Sequence, residues 1–402
     1  MTTVYRSPGV SFEQVRPTIE TPFLTGVPGF LGSAIKGDHG ALSALPVHRL
    51  YTSWREFADE FRATTPASAW RPDEALWNAV QGFFGNGGVR CHVVFYDPTA
   101  TGDRLAALDL AVTAMAELDD IEDIDLLCAP SLVTAVDPAP LQQQLIRSSE
   151  RVRAATRTEW FLILDAPPRA LATDLADWAN ALHAGSKPPL DAALYGPWLF
   201  PGGAFEPAPW AKPPPPPRPT PPSGHVAGIY ARTDRRVGVH KAPANEEILG
   251  VVDIDGDAPE IATINPLRAI PGRGIRVFGA RTLARVADGD PDGFVNIRRL
   301  VLTLERWLVR ALAWAVFEPN DFRLWVRIHR ELEDKLTELF RRGAFRGKAP
   351  SDGFRIKCDE ENNPAELRAS GQLQVDVQIA PAVPQEFITI RLIRSGESLT
   401  VA

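Results

Sequence analysis

The segment from Phe294 to Lys348 predicts two long amphipathic helices separated by a sharp break. Apolar residues recur there at steps of three and four, which places them on one face of a helix. In the first helix these residues are Ile297, Val301, Leu304, Leu308, Leu312 and Ala315. In the second helix they are Trp325, Ile328, Leu332, Leu336 and Leu339. Each helix is therefore expected to bury one face.

The break between the helices is the segment 317–321, Phe-Glu-Pro-Asn-Asp. A proline cannot continue a helix, and Asn320 or Asp321 can cap the helix that follows. Asn296 is expected to cap the first helix, because its side chain can accept hydrogen bonds from first-turn amides. Gly343 supplies the left-handed conformation that ends the second helix.

The composition is that of an ordinary globular protein with two or three domains. The 402 residues are 45% hydrophobic and 23% charged, and the net charge of −7 argues against a nucleic-acid partner. Cys91, Cys128 and Cys358 are far apart, and no CxxC pair exists. Reduced, buried thiols are expected rather than a disulfide framework or a cysteine zinc site.

No targeting or membrane segment is expected. The N-terminal stretch lacks the apolar core of a signal peptide, and no run of eighteen apolar residues occurs. Direct membrane insertion is therefore not expected.

Residues 1–22 are predicted to form an extended arm. Val10 and Phe12 alternate with polar neighbours, and prolines at positions 8, 17 and 22 exclude a helix. Such an arm has no core of its own. It needs a sheet edge to pair with, in this chain or in another.

The region 23–200 predicts an α/β domain. Helices are expected at 75–84, 104–118, 141–155 and 171–183, and strands at 89–96, 124–128, 160–164 and 192–200. Short, continuous apolar strands separated by helices indicate a parallel or mixed sheet covered on both faces.

The proline tract 212–222 follows that domain and is expected to form a stiff polyproline II spacer or loop tip, with a docking motif as the alternative. Beyond it, 224–234 is expected to be helical and 275–278 a strand. Leu373, Val375, Val377 and Ile379 alternate with polar residues, which predicts a half-buried strand. A last strand is expected over 387–393.

No catalytic or metal-binding constellation is apparent in the sequence. Residues 288–293 resemble the start of an EF-hand loop, but Arg299 stands where a bidentate glutamate is required. The acidic residues Asp253, Asp255 and Asp257 are interpreted as a solvated loop. Cys91 and His92 are adjacent on a strand, so they point to opposite faces. His329 is expected on a helix surface, and no P-loop, HExxH or GxSxG pattern occurs.

The clearest chemistry in the sequence is adhesive, because strands at both ends can donate backbone hydrogen bonds to another sheet. The residues expected to mediate this β-augmentation between subunits are Val4, Val10, Phe12, Phe387, Ile388, Ile390 and Leu392. A contact of this kind is heterologous and produces a helical array unless it closes into a ring. In the alternative, both ends pair within one sheet of one chain.

Several motifs in order resemble the tail sheath family, the contractile jackets of phage tails and of related injection machines. The motifs are SPGV at 7–10, SGHVAGIYARTD at 223–234, GVHKAPANEEI at 238–248, INPLRAIPGRGIRVFGARTL at 264–283, and FVNIRRL and FEPND within the helical segment. Phe278 replaces a tryptophan of the family pattern. The resemblance covers the arm and about 223–402, and its proportions resemble a sheath of an extracellular injection machine.

The resemblance implies a mixed α/β fold with four parts. These are the arm (1–22), a variable outer α/β domain (23–200), a proline-rich loop or linker (201–222), and a conserved C-terminal sheath domain (223–402) with a mixed sheet, two long helices and a donated last strand. It implies no enzymatic activity and no cofactor.

The resemblance also implies a mechanism. Subunits would form hexameric rings stacked helically around an inner tube, bounded by baseplate and terminal cap proteins, and would contract to drive the tube through a target envelope. Assembly would occur in the cytoplasm, as part of a phage tail or tail-like particle released by lysis or acting within the cell.

A basic surface on the C-terminal domain is the predicted contact with the tube. Its candidate residues are Arg323, Arg327, Arg330, Arg341, Arg342, Arg346 and Lys348. Exposed ion pairs are individually weak, about 0–1 kcal/mol, which suits a contact that must release. In the alternative, Glu331, Glu333, Asp334 and Glu338 simply balance a solvated helix.

Two other functional classes stay open at the level of sequence. One is a metabolic α/β enzyme with Asp165 as an acid or base at the end of its strand. The other is a non-contractile structural protein that assembles by the same chemistry.

Overall fold

The computed structural model describes residues 24–36, 46–62, 70–118, 123–156, 158–169, 172–182, 190–203, 205–210, 218–256, 264–284, 290–382, 388–395 and 398–401. The predicted arm (1–22) and residues 211–217 of the proline tract lie outside these ranges.

The described residues form a mixed α/β fold with strands and helices in the following order along the chain. The strands are β1 (Pro28–Lys36), β2 (Val47–Tyr51), β3 (Trp70–Pro72), β4 (Cys91–Tyr96), β5 (Leu126–Cys128), β6 (Phe161–Asp165), β7 (Ala192–Gly196), β8 (Leu199–Pro201), β9 (Val251–Ile254), β10 (Ile264–Ile270), β11 (Gly274–Val277), β12 (Phe354–Lys357), β13 (Leu373–Ile379), β14 (Ile388–Ser395) and β15 (Ser398–Val401). The helices are α1 (Trp54–Arg62), α2 (Glu74–Gly85), α3 (Arg104–Ala116), α4 (Ala139–Thr156), α5 (Ala172–Leu182), α6 (Ser223–Arg236), α7 (Val295–Ala311), α8 (Phe322–Arg341), α9 (Pro350–Gly353) and α10 (Ala365–Ala369).

A large twisted sheet organises the first two thirds of the chain. Its strand order is β11-β10-β7-β6-β5-β1-β4-β2, with β3 beside β1. The inner neighbours from β10 to β4 are parallel, and β11, β2 and β3 pair antiparallel. Strands β4, β5, β6 and β7 are buried along their whole length, which fits the continuous apolar runs expected of a parallel sheet.

Helices cover both faces of this sheet. On one face α1, α2 and α6 pack against alternate strand residues such as Phe30, Val93 and Phe161. On the other face α3, α4 and α5 pack against the intervening residues, such as Val94 and Leu162. The predicted two-sided sheet is thus present.

Glycines allow α2 and α6 to approach at backbone distance. A Cβ at Gly224 would lie 2.2 Å from the carbonyl oxygen of Ala79, and one at Gly228 would lie 2.4 Å from that of Phe83. No side chain fits in either gap. The glycines of the segment SGHVAG therefore set the separation of the two helices.

A second, C-terminal unit joins α7 and α8 to an antiparallel sheet of order β12-β13-β14-β15. Its core contains the predicted apolar stripes of both helices, apart from Ile297, and the inward residues of β13. Helix α7 is shared between units, because Val295 and Leu302 lie in the core of the large sheet, whereas Leu304 and Leu308 lie in the C-terminal core.

The two hydrophobic cores meet along α7, and the division at residue 223 that the resemblance implies stays a prediction. Helix α6 and strands β10 and β11 come after the proline tract, yet they complete the large sheet and its covering layer. In addition, the strand expected at 192–200 is divided into β7 and β8.

The ends of the two long helices differ in part from expectation. Helix α7 begins after Phe294, and Asn296 does not cap it but donates its amide to the carbonyl of His240 at 2.9 Å. Helix α8 is capped by Asp321, whose Oδ1 accepts from the amides of residues 323 and 324 at 2.9 and 3.1 Å. Gly343 adopts φ +82°, as predicted. Across the described ranges, no helix is long and apolar enough to cross a bilayer.

Candidate assembly surfaces

The C-terminal sheet presents backbone edges that can accept another strand. β13 lies between β12 and β14, with Val377 opposite Ile356 on one side and opposite Ile390 on the other. β15 pairs antiparallel with the other side of β14, and Leu392 lies opposite Val401. Within the described part of the chain, β12 and β15 are the outer strands of this sheet. Outer strands offer unpaired backbone groups to a neighbour.

Three predicted β-augmentation residues, Ile388, Ile390 and Leu392, lie on β14, which pairs antiparallel with β13 of the same chain. The others, Val4, Val10, Phe12 and Phe387, lie outside the described residues. In this structure β14 therefore pairs within its own chain, which is the alternative given above. A neighbour's β14 in the same register would make the same backbone hydrogen bonds, so the donated strand stays a prediction.

Four of the predicted tube-facing residues share one exposed face of α8. Arg323, Arg327, Arg330 and Arg341 are separated by four, three and eleven residues. At 100° per residue this spacing keeps them within a narrow sector, opposite the stripe that Ile328, Leu332 and Leu336 bury. Arg327 lies 3.7 Å from the centroid of the Trp314 ring.

The other three candidates lie at or beyond the end of α8. Arg342 pairs with Glu338 at 2.8 Å, Arg346 donates its backbone amide to the carbonyl of Ala380 at 2.9 Å, and Lys348 is exposed.

The acidic residues of α8 are largely engaged elsewhere. Glu331 accepts from Trp314 Nε1 at 2.9 Å, and Glu338 pairs with Lys335 at 3.0 Å. Glu333 lies 3.6 Å from His329, whose ring is half exposed as expected. Glu338 therefore balances the charge of Arg342, as the solvated-helix alternative expects. Arg323, Arg330 and Arg341, in contrast, form no ion pair with any described carboxylate.

Sequence reasoning missed an apolar patch beside this arginine face. Phe317, Phe322 and Val326 are 79, 71 and 49% exposed. Phe317 also holds φ +74°, a left-handed conformation that is costly for a residue with a Cβ. The sequence could have indicated this patch, because Phe322 and Val326 are apolar but do not belong to the predicted buried stripe of α8. Large apolar side chains that are exposed in this way indicate a contact surface.

A buried ion cluster centres on Arg299 and was not expected from the sequence. There, Arg299 was noted only because it replaces the glutamate that an EF-hand loop requires. Arg299 on α7 donates to both carboxylate oxygens of Asp234, at 2.9 and 2.6 Å, and to Asp125 at 3.1 Å. All three side chains are buried. Burial alone would lower the pKa of Arg299, but the charge and hydrogen bonds of Asp234 outweigh it and raise the pKa.

A second ion cluster joins the same helix to the large sheet. Arg298 binds Asp191 at 2.8 Å and Asp292 at 3.0 Å, and Arg153 binds Asp191, Glu159 and Glu305. Burial raises the pKa of Glu159 to about 8. Through Arg298 and Arg299, the polar face of α7 thus attaches the C-terminal unit to the α/β unit.

The comparison with known structures covers nearly the whole chain. A chain in the cryo-EM structure of the anti-feeding prophage baseplate shares 25% identity, with a TM-score of 0.68 and coverage of 96% of this chain and 98% of that one. A chain in the sheath complex of an extracellular contractile injection system in the contracted state has the same fold, at TM-score 0.67 and 24% identity, covering 96 and 97% of the two chains. The predicted resemblance to tail sheath proteins is confirmed.

Phage sheath proteins also match, over part of their length. The tail sheath protein of Vibrio phage KVP40 is 28% identical over 186 residues, which are 44% of this chain and 26% of that protein. The tail sheath protein of Escherichia phage P2 is 24% identical over 184 residues, 42% of this chain and 43% of that protein. The chain thus covers less than half of the length of these curated relatives. No family model matches it.

Asp165, the candidate acid or base of the enzyme alternative, is buried in this fold. Its side chain is 1% exposed, and it accepts the backbone amide of Ser223 at 2.7 Å.

The other candidate groups are also accounted for. Asp255 is buried and pairs with Arg169, whereas Asp257 and Asp288 lie outside the described residues. The described side chains include no group of three that could hold a metal ion. Cys91 and His92 face opposite sides of their strand, and His92 meets His48 at 3.0 Å.

We expect Asp165→Asn to stabilise the protein at pH 8. Burial raises the pKa of Asp165 to about 7, above its ordinary value near 4. The folded state therefore binds the proton more tightly, and the stability from this group falls as pH rises from about 4 to 7. The asparagine carries no charge to desolvate. Urea unfolding should show a gain of about 1–2 kcal/mol at pH 8 and little change at pH 4. An equal effect at both pH values would contradict the assignment.

Proposed function

We propose that this chain is the structural subunit of a contractile sheath, which polymerises around an inner tube and shortens to drive that tube through a target envelope. The observation that carries the proposal is the likeness to a chain of the anti-feeding prophage baseplate, which covers 96% of this chain and so includes both units. The same fold occurs in a contracted sheath, which supports contraction as the activity.

Polymerisation follows from strands that pair between subunits. The arm (1–22) and the β14–β15 hairpin add to the C-terminal sheets of neighbours, where β12 and β15 provide edges. Each contact is heterologous, so it propagates into stacked rings of six that follow a helix. Backbone pairing holds neighbours together while the units rotate, because a register of hydrogen bonds does not depend on the orientation of the bodies it joins.

The tube contact combines the arginine face of α8 with the apolar patch beside it. Arg323, Arg330 and Arg341 offer positive charge to acidic groups on the tube, and Phe322 with Phe317 offers a small apolar anchor. Exposed ion pairs contribute about 0–1 kcal/mol each, so the whole contact can form cooperatively and release as the sheath expands. Baseplate and cap proteins bind the two ends of the cylinder.

Contraction draws on interface free energy. The extended sheath is a kinetically trapped state, and triggering at the baseplate allows subunits to move outward and form more extensive contacts. Assembly takes place in the cytoplasm as part of a phage tail or tail-like particle, and the protein acts as a structural component with no catalytic role.

Charge reversal on the arginine face should detach the sheath from its tube. We expect Arg330→Glu with Arg341→Glu to lower the fraction of tube-bound sheath at physiological salt by at least about tenfold, because two attractive contacts become repulsive in every subunit. The matched control is Arg342→Glu, since Arg342 is already paired with Glu338. Co-sedimentation with tubes measures the difference. Normal assembly of the double variant would refute the assignment.

Electron microscopy of negatively stained protein, alone and with the tube protein, tests the function itself. Hollow striated cylinders are expected, and two diameters would correspond to extended and contracted states. Cylinders of one diameter under all triggering conditions would favour a non-contractile structural protein. Small discrete particles under all conditions would refute the sheath and turn attention to the α/β unit as an enzyme.

A further inference from the structure

The root of the predicted arm, Gly26 and Val27, is held by a buried carboxylate. Asp125 accepts the backbone amide of Gly26 at 2.9 Å and that of Val27 at 2.7 Å. The carbonyl of Val27 in turn accepts the amide of Asp125 at 3.1 Å. Both residues of the root are thus bound to Asp125.

The same carboxylate also binds Arg299, together with Asp234. Asp125 and Asp234 are 5 and 9% exposed, and Arg299 is 2% exposed. Since Arg299 belongs to α7, the root is joined through one guanidinium to the helix that the C-terminal core shares. Charged hydrogen bonds in a dry site are short and directional, so this connection is stiff.

Backbone geometry fixes the direction in which the root leaves the body. Gly26 adopts φ +73°, and a Cβ there would lie 2.5 Å from the Cα of Ala231 on α6. Only glycine meets both conditions. The chain therefore crosses α6 in close contact immediately before it enters β1.

We propose that Asp125, Asp234 and Arg299 form an anchor that fixes the root of the arm and transmits tension on the arm to α7. The inference rests on the proposed function, because tension arises only when the arm pairs with a neighbouring subunit. Asp125 and Arg299 are positioning residues, since they act through the arm. Without the anchor, tension on the arm would act directly on the first residues of β1, an inner strand of the large sheet.

The variant Asp125→Asn tests the anchor in unassembled protein. Asparagine keeps the size of the side chain, but its amide nitrogen cannot accept an N–H, so one of the two root bonds is lost. Hydrogen exchange of the segment 24–28 should become at least tenfold faster, while that of β6 changes less than twofold. The matched control is Asp191→Asn, which removes another carboxylate paired with α7 but does not contact the root. It should leave exchange of 24–28 unchanged.

The assembled sheath tests transmission. Cylinders of Asp125→Asn should release subunits at least fivefold more than wild-type cylinders under the same shear, and Asp191→Asn cylinders should resemble the wild type. Unchanged exchange at 24–28 would overturn the anchor. Faster exchange with wild-type resistance to shear would overturn the transmission of tension. If the wild-type protein forms no cylinders, the sheath function and the transmission fail together, whereas the exchange measurement still decides the anchor.

Discussion

Removing residues 1–23 should give a protein that folds but no longer forms cylinders. The hydrophobic cores of the described structure draw on residues from Phe30 onward, so the body does not depend on the arm for burial. We expect a melting temperature within about 1 °C of the full chain, which corresponds to about 1 kcal/mol for a protein of this size. The polymerised fraction should fall at least about 100-fold, because a linked contact is lost from every subunit.

Single substitutions in the arm refine this test. If the arm pairs as a strand, residues 10 and 12 share one face, and residue 11 lies on the other. Phe12→Asp should therefore impair cylinder formation, and Ser11→Asp should have little effect. Sedimentation and electron microscopy measure both. Normal cylinders from the truncated chain would mean that the arm pairs only within its own subunit.

Replacing Arg299 by leucine should cost about 3–5 kcal/mol of stability, the range typical of breaking a buried ion pair. Two buried carboxylates, Asp125 and Asp234, would lose their shared cation in a site that excludes water. The guanidinium also lies 4.6 Å from the centroid of the Tyr230 ring, and that contact would be lost as well. Urea unfolding of the unassembled protein at pH 7 measures the change.

The adjacent arginine provides the control. Arg298→Leu should cost only about 1–2 kcal/mol. Its partner Asp191 keeps Arg153, and its other partner, Asp292, is one third exposed and can be solvated. Equal losses for the two substitutions would show that burial of the carboxylates does not govern the effect. In Arg299→Leu with Asp234→Leu, part of the loss should return, because one unpaired charge is removed.

Elements with a strong local pattern could be predicted from sequence. The period of apolar residues located α8 to within a few residues, and Asp321 and Gly343 marked its ends, because capping depends on neighbours within one turn. The apolar run at 160–164 located β6 for a similar reason. The arginine face was predicted as a set of residues, and the structure divides it into four that share a face and three that do not.

Strand β1 shows where local pattern fails. It lies at the centre of the large sheet, yet its sequence is rich in glycine and predicts no strand. The reason is packing from other elements. A Cβ at Gly32 would lie 1.9 Å from Leu76 Cδ2, and one at Gly29 would lie 2.9 Å from Met115 Cε. Side chains from helices on both faces fill the space that a Cβ would take, and no short window of sequence reveals that packing.

The sequence by itself determined the long helices, the buried strands, the basic character of α8 and the resemblance to sheath proteins, because each depends on residues close together in the chain or on ordered motifs. The tertiary structure alone decided that β10 and β11 complete the large sheet beyond the proline tract. It also decided the partners of Arg299, which lie 65 and 174 residues away in the chain. Composition marks a linker, but only packing brings such distant charges into one buried site.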